Sequence, residues 1–190
     1  MNEKELIQQA IIGNEQAFRF LIKKYERLVF HIAGRVTGPT DELNDICQDV
    51  FIKIYKRLPL FRSESKLSTW IATIAYRTAI DFVSKKRVDT EELNNDILPD
   101  EYIRDTKKDP EHISIKEEQK KMLHATINRL PKKYKSVLNM FYLEEFSIKE
   151  IEKITEMPAG TVKNYIFRAR NLLKDELLKH QEFKEVKYEN

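Results

Sequence analysis

The sequence predicts an all-α protein of two small helical domains joined by an acidic linker, and three observations predict it. Gly and Pro are scarce, at 4 and 6 of 190 residues, which suits long helices on short turns and argues against a β-sandwich. Apolar side chains recur at steps of three and four along much of the chain, which places them on single helical faces. Charge is segmented: residues 1–87 carry 15 Lys/Arg against 10 Asp/Glu, residues 88–111 carry 3 against 9, and residues 112–190 carry 16 against 12. Basic lobes flanking an acidic connector fit a polyanionic partner, with a middle segment that avoids or mimics it.

With 41% apolar residues there is material for real cores. The chain has no run of about eighteen apolar residues, and its start, MNEKELIQQA, lacks the basic-then-apolar layout of a signal peptide. A soluble, cytoplasmic protein without membrane insertion is expected. The single cysteine, Cys47, excludes an intramolecular disulfide and is expected at a core edge of a helix. His31, His112, His124 and His180 are scattered, none in metal-ligand spacing with Cys47, so no metal or other cofactor is expected.

Taken in order, Asn2 and Glu5 form a capping box that opens a short helix through Leu6, Ile7, Ala10 and Ile11, stopping at Gly13. A longer helix runs from about Glu15 to Ala33 with Phe18, Leu21, Tyr25, Leu28 and Ile32 on one face, broken by Gly34 to Pro39. The next spans roughly Asp41 to Leu58 before Pro59. Leu43, Ile46, Val50 and Ile54 are its buried stripe; Asp45, Gln48, Asp49, Ile52 and Lys56 lie opposite. A polar turn, Arg62 to Lys66, leads into a helix from about Leu67 to Lys86 with Leu67, Trp70, Ile71, Ile74, Thr78 and Phe82 inward. It finishes in Lys85-Lys86-Arg87, which complements the carbonyl end of the helix dipole.

Residues 88–109 have no helical period and read as a linker. Asp109-Pro110 reads as an N-cap followed by Pro at the first helical position, opening a helix to about Arg129. After Leu130-Pro131 comes a helix with Tyr134, Val137, Leu138 and Phe141 inward. The expected domains are 1–87 and 110–180, with the linker between them and a charged tail over 181–190. Two separate cores are expected.

The last third carries the most chemistry. Ser147-Ile-Lys-Glu150 is a second capping box, opening a short helix with Ile148, Ile151 and Ile154. After a turn at Glu156-Met157-Pro158 comes a long helix, which completes a helix-turn-helix pattern. Val162, Ile166, Ala169, Leu173 and Leu177 form its inner stripe. Lys163, Asn164, Phe167, Arg168 and Asn171 share the outer one. The cations can meet phosphate or guanine, Asn can pair with adenine, and the ring can pack on a thymine methyl. A weaker second signal is the polar loop Phe61 to Thr69 entering the Trp70 helix. One face of that helix carries Thr73, Arg77 and Ser84, ending near Arg87. Hydroxyls, cations and nearby rings suit unpaired bases.

Three strings together, DELNDICQDVFIKIYKRL, FRSESKLSTWIATIAYRTAIDFVSKKR and LPKKYKSVLNMFYLEEFSIKEIEKITEMPAGTVKNYIFRARNLL, resemble in order regions 2 and 4 of extracytoplasmic-function sigma factors. The resemblance implies a non-enzymatic factor that binds core RNA polymerase and directs initiation at promoters, without a small-molecule substrate. It implies polymerase contact, at the β′ coiled coil, through Asp45, Gln48, Asp49, Ile52 and Lys56, and a further contact with the β flap. It implies -10 contacts by Arg62, Ser63, Glu64, Ser65, Lys66, Thr73, Arg77, Lys85, Lys86 and Arg87. Reading of the -35 element falls to Thr161, Lys163, Asn164, Phe167, Arg168 and Asn171. The linker would thread the polymerase's channels, and an anti-sigma protein that clamps the two modules together is a further implied partner.

Three positions depart from the family pattern. Arg77 stands where Asn is frequent, Glu152 where a helix-turn-helix has a small Ala, and Glu156 where its turn has Gly. Three other readings of the residues are an ordinary repressor or activator using only the helix-turn-helix, a sigma mimic that titrates an anti-sigma factor, and an enzyme, for which the sequence offers no cluster of acid, base or nucleophile groups. The retained Lys163, Arg168, Arg170 and Lys85 to Arg87 argue against the mimic.

Overall fold

A computed structural model describes the backbone of residues 2–89, 123, 125–127 and 129–188, with side chains through Lys86 in the first stretch and through Leu178 in the last. The described elements are α-helices and one 3-10 turn. Helix α1 (Glu3–Ile11) opens on the expected capping box, with the Asn2 side chain accepting from the Glu5 N–H at 2.8 Å. Its buried Leu6, Ile7 and Ala10 lie on α2 (Glu15–Thr37), which is capped by the Asn14 side chain accepting from Ala17 N–H at 3.1 Å.

Helix α2 does not break at Gly34, as the sequence predicts, but continues to Thr37. A β-carbon at Gly34 would stand 3.3 Å from the Leu43 side chain, so the glycine serves close helix packing and not a turn. The chain turns at Gly38, whose φ of 76° lies in the left-handed region that glycine adopts without strain.

Helix α3 (Leu43–Arg57) buries Ile46, Val50 and Ile54, and a 3-10 turn (Leu58–Leu60) buries Leu58. Helix α4 (Leu67–Asp89) runs three residues beyond Lys86, into the expected linker. Of its expected core residues, Leu67, Ile71, Ile74 and Thr78 are buried, while Trp70 and Phe82 are half-buried; Trp70 packs on Phe61 with ring centroids 5.2 Å apart. Cys47 stands half-buried at the edge of two apolar clusters, as expected, and burial pushes its thiol up to about 11.

In the C-terminal part, α5 (Lys132–Tyr142), α6 (Ile148–Thr155) and α7 (Ala159–Tyr188) follow one another. Residues 123, 125–127 and 129 are helical, and Arg129 reaches Glu176 of α7 at 4.0 Å. The linker after Asp89 and most of the helix expected over 110–129 lie outside the described residues. The expected tail is a continuation of α7 through Tyr188.

The two modules do not keep separate cores. Leu28, Ile71 and Ala75 of the first belong to one continuous cluster with Val137, Met140, Ile151, Ile154 and Val162 of the second. Helix α2 packs on α5 and helix α4 on α6. Polar links pin the register of this contact. Ser136 Oγ donates to Arg35 O at 3.2 Å, Lys132 Nζ donates to Thr37 O at 3.1 Å, and His31 Nδ1 lies 2.7 Å from Glu144 Oε1. The Lys132 ammonium sits at the carbonyl end of α2, where the helix dipole favours a cation.

Candidate nucleic-acid interface

The helix-turn-helix is built as its capping box predicts. Ser147 Oγ accepts from Glu150 N–H at 3.3 Å, and Glu150 Oε2 accepts from Ser147 N–H at 2.9 Å. Ile151 and Ile154 seal α6 onto the core. The chain then turns on Glu156, with φ of 59° and ψ of 15°. A left-handed non-glycine residue costs about 1–2 kcal/mol, so the module tolerates that strain at this turn. Its backbone N–H donates to Glu152 O at 2.8 Å, and Thr155 Oγ1 accepts from Met157 N–H at 3.3 Å. Glu152, in place of the usual small residue, accepts from the Ala159 N–H at 3.2 Å and so satisfies an amide at the start of α7.

Along α7, Val162, Ile166 and Ala169 are buried and Leu173 and Leu177 half-buried, which is the inner stripe the spacing predicts. Lys163, Asn164, Arg168 and Asn171 are exposed, Thr161 is half-buried, and Phe167 is 63% exposed. Leaving a phenyl ring in water is costly, and this one stands between an amide and a guanidinium on a face with no carboxylate from Pro158 to Lys174. The Tyr134 hydroxyl bonded to Arg168 raises its pKa further, while Tyr134 itself stacks edge-on with Tyr165 at 5.1 Å. The face is therefore cationic, amide-bearing and aromatic, and it is exposed among the described residues.

On α3, Asp45, Gln48, Asp49, Ile52 and Lys56 are all exposed, Ile52 at 44%. Tyr55, three residues after Ile52 and 52% exposed, adds an aromatic ring that the sequence reading missed; it meets Phe18 edge-on at 4.9 Å. An acidic helix face with an aliphatic and an aromatic side chain in it fits a basic partner helix.

The loop and α4 surface is arranged differently. Arg62, Ser63 and Glu64 are exposed and Ser65 half-buried, with Ser63 at φ 56°. Thr73 Oγ1 donates to Thr69 O at 2.8 Å, so its hydroxyl hydrogen is used inside the helix. Lys85 is exposed; Lys86 Nζ lies 2.9 Å from Glu42 Oε2 and 5.7 Å from the Phe82 ring centroid. The side chain of Arg87 lies outside the described residues. Lys66 Nζ lies 3.1 Å from Glu150 Oε1, and Arg77 is paired with Glu156. The cations at the centre of this surface are thus occupied by carboxylates of α6 and its turn. The sequence offered one signal for this, the glutamate at a turn position that prefers glycine.

The sigma-70 region 2 profile matches residues 21–88, and the sigma-70 region 4 profile matches residues 120–173. The chain is 31% identical over 185 residues to the ECF RNA polymerase sigma factor SigW of Bacillus subtilis (strain 168), covering 92% of this chain and 96% of that one. The chain belongs to the ECF sigma factors. A second relative, the ECF RNA polymerase sigma-E factor of Haemophilus influenzae, is 29% identical, covering 93% of this sigma factor and 96% of that one. Among solved structures, CnrH in complex with the cytosolic domain of CnrY has a TM-score of 0.62 at 19% identity, covering 92% of this chain and 96% of that one. The sigma factor RpoE with the anti-sigma factor NepR from Bartonella quintana has a TM-score of 0.63 at 19% identity, covering 84% and 96%. At that identity these two share the fold. As an ECF sigma factor the protein binds core RNA polymerase and directs transcription initiation at promoters. Among the described residues no helix is long and apolar enough to cross a membrane.

Proposed function

We propose that residues 1–87 bind polymerase and the -10 element, that 110–180 read the -35 element, and that 88–109 connect them within the polymerase. The observation that carries the -35 assignment is the outer side of α7, where Lys163, Asn164, Phe167, Arg168 and Asn171 are exposed among the described residues over a packed aliphatic side. Thr161 stands at its start and belongs to the same assignment. Asp45, Gln48, Asp49, Ile52 and Lys56 form the polymerase contact with the β′ coiled coil, supported by the exposed mixed face of α3; the β flap is the second polymerase element engaged. Arg62 to Lys66, Thr73, Arg77 and Lys85 to Arg87 serve the -10 element, with Arg77 setting a base preference of its own. The factor acts in the cytoplasm and has no catalytic site. An anti-sigma protein holds it closed, by analogy with the neighbours solved with NepR and the CnrY cytosolic domain.

The test is transcription in vitro with purified core polymerase and a promoter library, which selective initiation would pass and polymerase-independent operator binding would fail. In the same assay Asp49→Arg is expected to weaken core association about tenfold or more, because it sets a cation against a basic partner. Unchanged association, measured by fluorescence titration, would remove α3 from the polymerase contact.

A further inference from the structure

The start of α7 has no cap of its own. Pro158, whose carbonyl accepts the first bonds of the helix from Thr161 N–H at 2.8 Å and Val162 N–H at 3.1 Å, stands where a side-chain oxygen of Ser, Thr, Asp or Asn is usual. Proline supplies none. The acceptor comes instead from seven residues before Ala159, where Glu152 Oε1 takes the Ala159 N–H at 3.2 Å. A carboxylate in that place also meets the positive end of the α7 dipole. Between these two points the backbone passes through the left-handed Glu156. Thr155 Oγ1 steadies the same turn, donating to Ile151 O at 2.7 Å and accepting from Met157 N–H at 3.3 Å. Glu152 and Glu156 lie one helical turn apart, and both depart from the family pattern. The pattern has glycine for the bend and alanine for the space between the helices. This chain holds the bend with a side chain that spans it.

The angle of α7 matters because the helix is a lever. Val162 and Ile166 seat it against Ile151 and Ile154, but apolar packing is non-directional and leaves rocking about the seat to be limited by directed bonds at the turn. From Ala159 to Asn171 an α-helix rises about 18 Å, so a tilt of about 10° at the turn moves the far residues by about 3 Å. Hydrogen bonds to base edges fail over that distance, since their lengths vary by only a few tenths of an ångström. Phosphate contacts position the helix without reading sequence, so they survive the tilt better.

We infer that Glu152 is a positioning residue for promoter reading: its carboxylate, tied across the turn to the first amide of α7, fixes the angle at which Lys163, Asn164, Phe167, Arg168 and Asn171 meet a duplex. The inference rests on the -35 assignment proposed above. Glu152 acts through α7 and not by touching DNA.

The experiment uses holoenzyme assembled from the full chain and core polymerase, with the strongest promoter drawn from the library and duplexes carrying each single-base change in its -35 element. Glu152→Ala removes the acceptor and keeps α6, since alanine is the best helix former. Glu152→Gln removes the charge and keeps an acceptor. Loss of an acid beside DNA tightens binding by charge alone, so a positioning effect carries the opposite sign. In Glu152→Ala the half-saturating concentration of the parent promoter is expected to rise about tenfold with the maximal rate held, and its preference over the -35 variants to narrow by a similar factor. Glu152→Gln should stay within about threefold of the wild type on both readings. Full preference in Glu152→Ala overturns the inference, and so does a Glu152→Gln that behaves like Glu152→Ala. An equal loss on every duplex together with a lowered Tm overturns it too, because that marks a stability effect. Lys163→Ala with Arg168→Ala on the same duplexes reports on the -35 assignment alone. Retained preference in that pair removes the assignment; lost preference there beside an unaffected Glu152→Ala removes only the positioning role.

Discussion

Replacing Lys163 and Arg168 together by alanine is expected to cut promoter-dependent initiation by at least about 30-fold while leaving polymerase association unchanged. Each cation meeting a base edge or phosphate is worth about 1–3 kcal/mol, and two such losses add when the side chains do not touch. Both are exposed on the outer side of α7, so neither truncation opens a cavity. Arg168 also gives up its bond to Tyr134, a surface contact of small effect. Circular dichroism and thermal melting should therefore match the wild type, and initiation from a -35-dependent promoter should not. Full promoter output from a folded double variant would remove α7 from promoter recognition.

Ile154→Ala is expected to cost about 2–5 kcal/mol of stability, a drop of about 5–15 °C in Tm for a chain of this size. Ile154 is 0% exposed and belongs to the cluster that runs through both modules. Because that cluster is continuous, the loss should lower a single cooperative transition detected alike by probes in α4 and in α7. Two separated transitions, with only the second module destabilised, would show that the shared cluster does not couple the modules in solution.

The local rules were readable from the sequence. Two capping boxes and the three-and-four spacing fixed where α1, α6 and α7 begin and which sides of them pack, because each depends on residues within one or two turns. Gly34 misled because a glycine can serve close approach as well as a turn, and only Leu43 from another helix decides between them. The second partner of α5 was equally out of reach. Its sequence pattern marks Val137 and Leu138, but Ser136, Asn139 and Met140 are buried as well because α2 lies along the other side. On α7 the spacing gave the exposure of Lys163, Asn164, Phe167, Arg168 and Asn171. The cover on Lys66 and Arg77 was not legible, since it joins positions more than seventy residues apart through a contact that no periodicity encodes.

The raised thiol of Cys47 has a practical use. At neutral pH nearly all of it is the protonated form, which maleimides and disulfide reagents attack slowly. With no other cysteine in the chain, dyes or spin labels can be directed to cysteines introduced at exposed positions such as Arg19 and Asp175 without first replacing the native one. Inter-probe distances could then be followed in the natural background as the polymerase takes hold.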